Sequence, residues 1–480
     1  MQSLPDLSQL SHAQKDELIR LLWSQVQELT AQLAQMAARV HSLEQRLSLN
    51  SRNSSLAPSS DGLRKPAPKS LRQSGQRPNG GQQGHPGNTL RQSQHIDAVI
   101  EHQGAQTCGA CHAQLPAREI IERRQVFELP VLSMQVIEHR LMGVRCACGA
   151  WHQGHWPQGV NAAAQYGASV KAFAVSLSQQ HLMPLGRVCE VMQDAFGVSL
   201  SQASVLEFNR QAAQALAGTV AAIGQAVQSA PVVHADESGI RVNGKLHWLH
   251  GLVTQNLTWL GQHAKRGHQA FDELGLLAGV RGTLVHDGLA SYKELDCTHS
   301  LCNAHHLREL VLAHEQDKPF DDWAQAMQDL LLQANAEVRQ HATALPAQRQ
   351  LWYAQAWDAL LARAQALNPE DKEHLQHAPR RGRHKQSATF NLIRRLRVHR
   401  ADVWRFMTEP GVPFSNNLAE QAIRMCKVKQ KISGCFRTLD GANTFFTNRA
   451  YLATMKKQGN NLLLCLHSVF TGQPRQPQFA

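Results

Sequence analysis

The first periodic signal along the chain is a narrow apolar seam. Ile19, Leu22, Val26, Leu29, Leu33, Met36, Val40, Leu43 and Leu47 follow one another at alternating steps of three and four. That spacing holds one stripe of a helix apolar and lets two stripes pack as a coiled coil. A helix packed on its own domain carries a broader, less regular face, so residues 12–49 read as a self-associating coiled coil. From 50 to 95 the periodicity stops. SRNSSLAPSSDGLRKPAPKS and GQRPNGGQQGHPGN hold few groups that could offset the cost of ordering, and Arg64, Lys65, Lys69, Arg72 and Arg77 make the stretch basic. It reads as a disordered linker, either passive or in nonspecific contact with phosphates.

Residues 96–160 contain Cys108-Gly-Ala-Cys111 and Cys146-Ala-Cys148, separated by 34 residues. The stretches REIIERRQVFELP and VLSMQVIEHRLMGVRC between the pairs read as strands. Two cysteine pairs joined by a hairpin suit a tetrahedral structural Zn2+, with His152 and His155 as spare ligands nearby; four protein ligands leave no open catalytic position. Residues 161–228 read as helical. Pro184 opens one helix, Phe196-Gly-Val-Ser199 breaks it and Ser201 starts the next. The spacing fits a helix-turn-helix and an ordinary helical bundle equally.

From 231 the period changes to two. PVVHAD is a β-branched run ending at Asp236, IRV and KLHWLHGLVT flank the hairpin dipeptide Asn243-Gly244, and NLTWLGQ makes a third strand. GHQAFDELGLLAG is helical, GTLVHDG is a strand ending at Asp287, and HSLC leads into the helix NAHHLRELVLAH. This order is that of a ribonuclease H-like domain. Asp236 and Asp287 at neighbouring strand ends would repel each other and favour a divalent cation, and hard oxygen ligands select Mg2+ or Mn2+. In PFSNNLAEQAIRMCKVKQKISG, Glu420, Arg424, Lys427 and Lys431 recur at steps of four, three and four on one helix face. That stripe suits metal and then phosphate. Asn416 or Asn417 can cap this helix, and the competing reading is a capping box, Asn417-Leu-Ala-Glu420, in which Glu420 serves only the helix end. Cys302 and His305, with Cys297 nearby, offer a second zinc pair, set against an ordinary strand-to-helix junction.

Charge narrows the choice of partner. The chain has 49 Lys plus Arg against 37 Asp plus Glu, a net +12, which points to nucleic acid first and an acidic membrane surface second. No run of eighteen apolar residues exists, so no membrane span is expected. The N-terminus lacks a basic start followed by an apolar run, so a cytoplasmic location with reduced thiols is expected. A second basic cluster comprises Arg380, Arg381, Arg383, Lys385, Arg394, Arg395, Arg397 and Arg400.

Together, SLNSRNSSLAPSSDGL, NGGQQGHPGN, the cysteine pairs, HADESGIRVNGKLHWLHGLV, LVHDGLASY, CNAHHLREL, FSNNLAEQAIRMCKVKQKISGCF and NRAYLATMKKQGNN run in order across nearly the whole chain. On these motifs the sequence resembles the insertion sequence 66 family of bacterial transposases, a branch of the DDE transposases. The resemblance implies an N-terminal leucine zipper, a zinc-finger domain and a ribonuclease H-like core, and it marks Asp236, Asp287 and Glu420 as the acidic triad. The short hairpin after HADESGIRVN departs from the family pattern and leaves open what its tip contacts.

The expected fold is multidomain α+β: coiled coil (12–49), linker (50–95), small zinc-binding β domain (96–160), helix-turn-helix-like DNA-binding region (161–228), first part of a ribonuclease H-like α/β core (229–305), helical insertion (306–408), last part of the core with the Glu helix (409–456) and a tail (457–480). The expected activity is DNA cleavage and strand transfer with two Mg2+ or Mn2+ ions on Asp236, Asp287 and Glu420. Asp236 would bridge both ions, and Arg424, Lys427 and Lys431 would meet DNA. Expected partners are terminal inverted repeats and target DNA, a second copy through the coiled coil, and small companion proteins of the element. The rivals are an inactive DNA-binding regulator, a ribonuclease H-like nuclease without strand transfer, and a structural scaffold. Deleting residues 12–49 should lower the oligomer size measured by light scattering; an unchanged size would remove the coiled-coil assignment of the dimer.

Overall fold

The computed structural model describes residues 11–50, 53–54, 91–102, 106, 108–114, 120–127, 129, 133–317, 322–341, 343–370 and 386–479. The linker cations Arg64 to Arg77 and the insertion cations Arg380, Arg381, Arg383 and Lys385 lie outside them. Helix α1 (His12–Ser48) starts at a reciprocal cap: the Ser11 hydroxyl accepts from the Gln14 N–H, and the Gln14 side chain accepts from the Ser11 N–H. Every seam residue is exposed, Leu22 least so at 46%.

The cysteine region differs from expectation. Strands β1 (Gly143–Arg145) and β2 (Trp151–Gln153) pair as an antiparallel hairpin around Cys146–Cys148. Residues 120–127 and 133–142 carry no strand. Their backbone meets no partner ladder, and their apolar side chains stay outside, with Ile121 99% exposed and Val136 85%.

Helix α2 (Ala168–Val175) runs into a π turn, Ser176–Gln180. Helix α3 (Leu185–Phe196) follows Pro184 and stops at Gly197, whose φ of 66° is cheap only for glycine. Helix α4 (Gln202–Gln228) begins at Ser201, whose side chain accepts from the Ser204 N–H. Strands β3 (Val232–Val242), β4 (Lys245–Val253) and β5 (Thr258–His263) form an antiparallel meander. After α5 (His268–Leu274), β6 (Thr283–His286) and β7 (Thr298–Leu301) add in parallel, giving the order β5-β4-β3-β6-β7. Helices α6 (Asn303–Asp317), α7 (Trp323–His341), α8 (Ala347–Leu367), α9 (Ala388–Val398) and α10 (Arg400–Thr408) precede α11 (Asn417–Ser433), α12 (Leu439–Lys457) and α13 (Leu462–Phe470).

Two cores result. One joins α2–α4, the sheet, α11, α12 and α13, through residues such as Leu216, Ile223, Leu249, Phe271, Tyr451 and Leu466. The helices of 161–228 and the C-terminal helix are therefore packed into the same core as the sheet. The other core gathers Leu301, Leu310, Trp323, Trp357, Leu396 and Phe406 and belongs to the inserted helices. The short β3–β4 hairpin finds its contact after α11: the Asn243 N–H donates to the Phe436 carbonyl, and the Phe436 N–H donates to Arg241.

Strand β3 is a single eleven-residue strand, so Asp236 lies within it and not at its end. Its parallel pairing with β6 covers only Val232 to His234, and His234 stands opposite Val285. Continuing that register by two residues brings Asp236 level with Asp287, just past β6. The approach of β6 is close. A Cβ on Gly282 would lie 2.5 Å from the carbonyl oxygens of both Ala230 and Pro231. Gly282→Ala should therefore destabilise the chain by about 1–3 kcal/mol, read as a lower Tm; an unchanged Tm would contradict this close approach.

Candidate functional site

Asp236 stands opposite Gly251 in the β3–β4 ladder. Gly251 carries no side chain, and Ile423 of α11 occupies the space above it; a Cβ there would lie 3.3 Å from Ile423 Cγ1. This brings α11 onto the Asp236 face of the sheet. Glu237 takes the opposite face by strand alternation. There Arg266 donates two hydrogen bonds to its Oε1, at 2.9 and 2.6 Å, and the Tyr292 hydroxyl donates to Oε2 at 2.6 Å. Asp287 follows β6, and its Oδ1 accepts from the Leu289 N–H at 3.0 Å across Gly288, which has φ 96°.

Glu420 lies in the first turn of α11, where the N-cap is Asn416 and no side chain caps the helix. The capping-box alternative is thus absent. Glu420 Oε1 is buried without a hydrogen-bond partner, and His305 Nδ1 and Arg308 each lie 3.9 Å away.

Asn416 was expected only as a possible cap, and here the structure adds a function. Its side chain is fully buried. Nδ2 donates to the Ala235 carbonyl at 2.7 Å, which leaves Oδ1 to accept from His234 Nδ1 at 3.0 Å. Its backbone N–H donates to Cys302 Sγ at 3.1 Å. Asn416 therefore fastens the start of the Glu420 helix to the two residues before Asp236. Further along α11, Lys427 donates to the Gly239 carbonyl at 2.6 Å. It braces β3, whereas Arg424 and Lys431 are exposed.

Burial raises the Asp236 carboxyl well above its ordinary range, and Glu237, Asp287 and Glu420 add to the shift by repulsion. Burial and then Asp287 also raise Glu237, against the hydrogen bonds from Tyr292 and Arg266. His234 is pushed down to about 4 by burial, so it is neutral and fits its role as a fixed donor. Asp236, Asp287 and Glu420 repel one another here, although their oxygens do not all lie within 4.8 Å of one another, and Glu420 Oε1 has no hydrogen-bond partner. That hard, anionic donor set fits Mg2+ or Mn2+.

The predicted zinc ligands sit on two turns. The Cys108 N–H donates to Ala113, and the Cys146 N–H donates to Ala150. Amides of Ala110 and Cys111 lower the Cys108 thiol, and the Cys148 amide lowers Cys146. Each turn thus favours thiolate. Among the described residues the two pairs do not gather into one ligand cluster; the group that does is Cys302, His305 and Glu420. In the insertion, Arg395 pairs with Glu309 and Arg400 with Asp358, while Arg394 and Arg397 are exposed. No helix among the described residues is long and apolar enough to cross a membrane.

Comparison with known proteins gives two family matches. The Transposase IS66 family matches residues 163–444, and a family of unknown function, DUF6444, matches residues 2–91. No curated protein matches. Among solved structures, a chain of the simian T-cell lymphotropic virus intasome in complex with PP2A regulatory subunit B56 gamma is similar at 13% identity and a TM-score of 0.14. The match covers 33% of this chain and 58% of that one, so it spans under two thirds of the viral structure's chain.

The raised Asp236 carboxyl fixes a sign. An acid held above its unfolded value, about 3.9, retains its proton in the folded state, so the metal-free fold loses stability as pH rises from there towards the folded value. Asp236→Asn removes that loss. It should raise the Tm at pH 8 by about 3 °C, with a smaller gain at pH 5, while Mn2+ should raise the Tm of wild type but not of the variant. A lower Tm for Asp236→Asn at pH 8 would contradict the repulsion.

Proposed function

The chain belongs to the IS66 transposase family, and from that premise we propose that it cuts DNA at the ends of an insertion sequence and joins the freed ends to target DNA. The observation that carries this reading is placement: Asp236 lies within β3, Asp287 comes level with it just past β6, and Glu420 is in the first turn of α11, which packs on the Asp236 face of the sheet. The sheet order, three antiparallel strands followed by two parallel ones, supports a ribonuclease H-like core.

Asp236, Asp287 and Glu420 would hold two Mg2+ or Mn2+ ions. Bound there, such ions sharpen an oxygen nucleophile and offset charge at phosphorus and the leaving oxygen. The protein's own residues set the geometry. Asn416 and Lys427 fix α11 against β3, so Glu420 meets Asp236 at a constant separation. Arg266 neutralises Glu237 behind the strand, which keeps the net charge of the site within what two divalent ions can balance. Exposed Arg424 and Lys431 lie on the Glu420 helix, where a guanidinium can grip two phosphate oxygens and an ammonium one.

In this reading α1 pairs with a second copy through its exposed seam and brings two element ends together. The cysteine turns close on a structural Zn2+ and bury the apolar side chains between them, and α3 with α4 helps to read the terminal repeats. The protein works in the cytoplasm, with companion proteins of the element as further partners.

Mn2+-dependent nicking of labelled element-end DNA tests the proposal. Wild type should nick, and Asp236→Ala and Glu420→Gln should each reduce the rate by at least about a hundredfold. Nicking that survives Glu420→Gln would place the third ligand elsewhere. Tight binding without nicking, with companion proteins present, would favour an inactive regulator, and nicking without strand transfer would favour a plain nuclease.

A further inference from the structure

Cys302 ends the β7 segment and His305 lies one turn into α6; the His305 N–H donates to the Cys302 carbonyl at 3.1 Å. Cys302 Sγ, a ring nitrogen of His305 and a carboxylate oxygen of Glu420 all lie within 4.8 Å of one another. Two atoms here are buried and lack a hydrogen-bond partner, His305 Nδ1 and Glu420 Oε1, and they stand 3.9 Å apart. Two orphaned polar atoms beside a sulfur are costly to bury unless something joins them. The sulfur already accepts the Asn416 N–H, the kind of outer contact that supports a metal-bound thiolate.

We propose that Cys302, His305 and Glu420 form a zinc site that competes with the magnesium centre for Glu420. One sulfur, one imidazole and one carboxylate are a zinc donor set, and the three leave a fourth position for water. The thiol disfavours Mg2+, which takes oxygen ligands. Zn–ligand bonds of about 2.0–2.3 Å put neighbouring ligand atoms roughly 3.5 Å apart, so closure needs the present cluster to contract by about an ångström. On binding, the Cys302 proton leaves to solvent. The competing cation is Arg308, 3.9 Å from the same Glu420 oxygen and 27% exposed, with room to turn outward. Zinc would draw Glu420 towards α6 and away from Asp236, so the protein in excess zinc would bind DNA and leave it uncut. This consequence rests on Glu420 being the catalytic ligand; the ligand set itself does not.

Cobalt titration of the full chain separates the two. Co2+ in thiolate sites gives a sulfur-to-metal charge-transfer band in the near ultraviolet. Cys302→Ser should lose one cobalt equivalent and part of that band, and His305→Gln should lose the same equivalent if the serine variant folds poorly. Cys108→Ser/Cys146→Ser should retain it. Spectra and stoichiometry unchanged in both Cys302→Ser and His305→Gln would overturn the site. In nicking assays with Mg2+, micromolar Zn2+ should slow wild type at least tenfold but leave Cys302→Ser at its own zinc-free rate. Loss of the cobalt equivalent without zinc inhibition of wild type would overturn the competition while the ligand set would stand, and nicking by Glu420→Gln separately decides whether Glu420 is catalytic.

Discussion

Like charges set the terms on which this fold exists. Asp236, Glu237, Asp287 and Glu420 come from three parts of the chain, and burial makes each pair's repulsion stronger than it would be in water. The strand alternation of β3 sends Glu237 to the far face, where Arg266 and Tyr292 occupy both its oxygens. That leaves Asp236, Asp287 and Glu420 on the near side. Among themselves these three only repel, so the frame around them has to be rigid.

Asn416 supplies much of that rigidity. Glu420 enters about 130 residues after Asp287, and the intervening chain forms its own core. The return is fixed at several points. The Asn303 N–H donates to the Phe414 carbonyl, the Asn303 side chain donates to Val403, and the Arg405 guanidinium donates to His299. The insertion is thereby tied to β7 and α6, and its exit runs straight into the Asn416 clamp. Replacing Asn416 by a residue of similar size without the amide would leave the Ala235 carbonyl and His234 Nδ1 each short of a partner, and buried unpaired groups cost about 1–3 kcal/mol apiece. The inserted helices therefore matter for the site through placement, whatever else they contact.

The core was largely legible because its signals are local. The period-two runs, Asn243-Gly244 and the Pro184, Gly197 and Ser201 punctuation each report a backbone choice made within a few residues. What sequence spacing missed depends on long-range partners. PVVHAD and IRV looked like separate runs because Asp236 and Glu237 interrupt the apolar pattern, yet β4 pairs with β3 without a break from His234 to Val242. Asn416 looked like a cap because Asn is a good one; its true partners lie 181 and 182 residues away. Lys427 fell on the basic face of a helix but reaches β3 because that face also borders the sheet. The strands expected between the cysteine pairs are not there, because no strand lies beside residues 120–127 and 133–142 to complete a ladder among the described residues.

Helix α11 thus has two kinds of cation at nearly the same angular position. Lys427 is turned to Gly239 and holds the strand, while burial, then Lys431, lower its amine. Arg424, one turn closer to Glu420, stays outside with its guanidinium free of that duty. A phosphate approaching the acidic cluster must be brought in against carboxylate repulsion, and the cation that can offset it sits one helical turn from Glu420, on the same rigid element. Because Asn416 and Lys427 fix α11 at both sides of Arg424, the distance from the Glu420 carboxylate to the Arg424 guanidinium is set by helix geometry. The clamp that restrains the repelling carboxylates therefore also fixes where Arg424 stands relative to them.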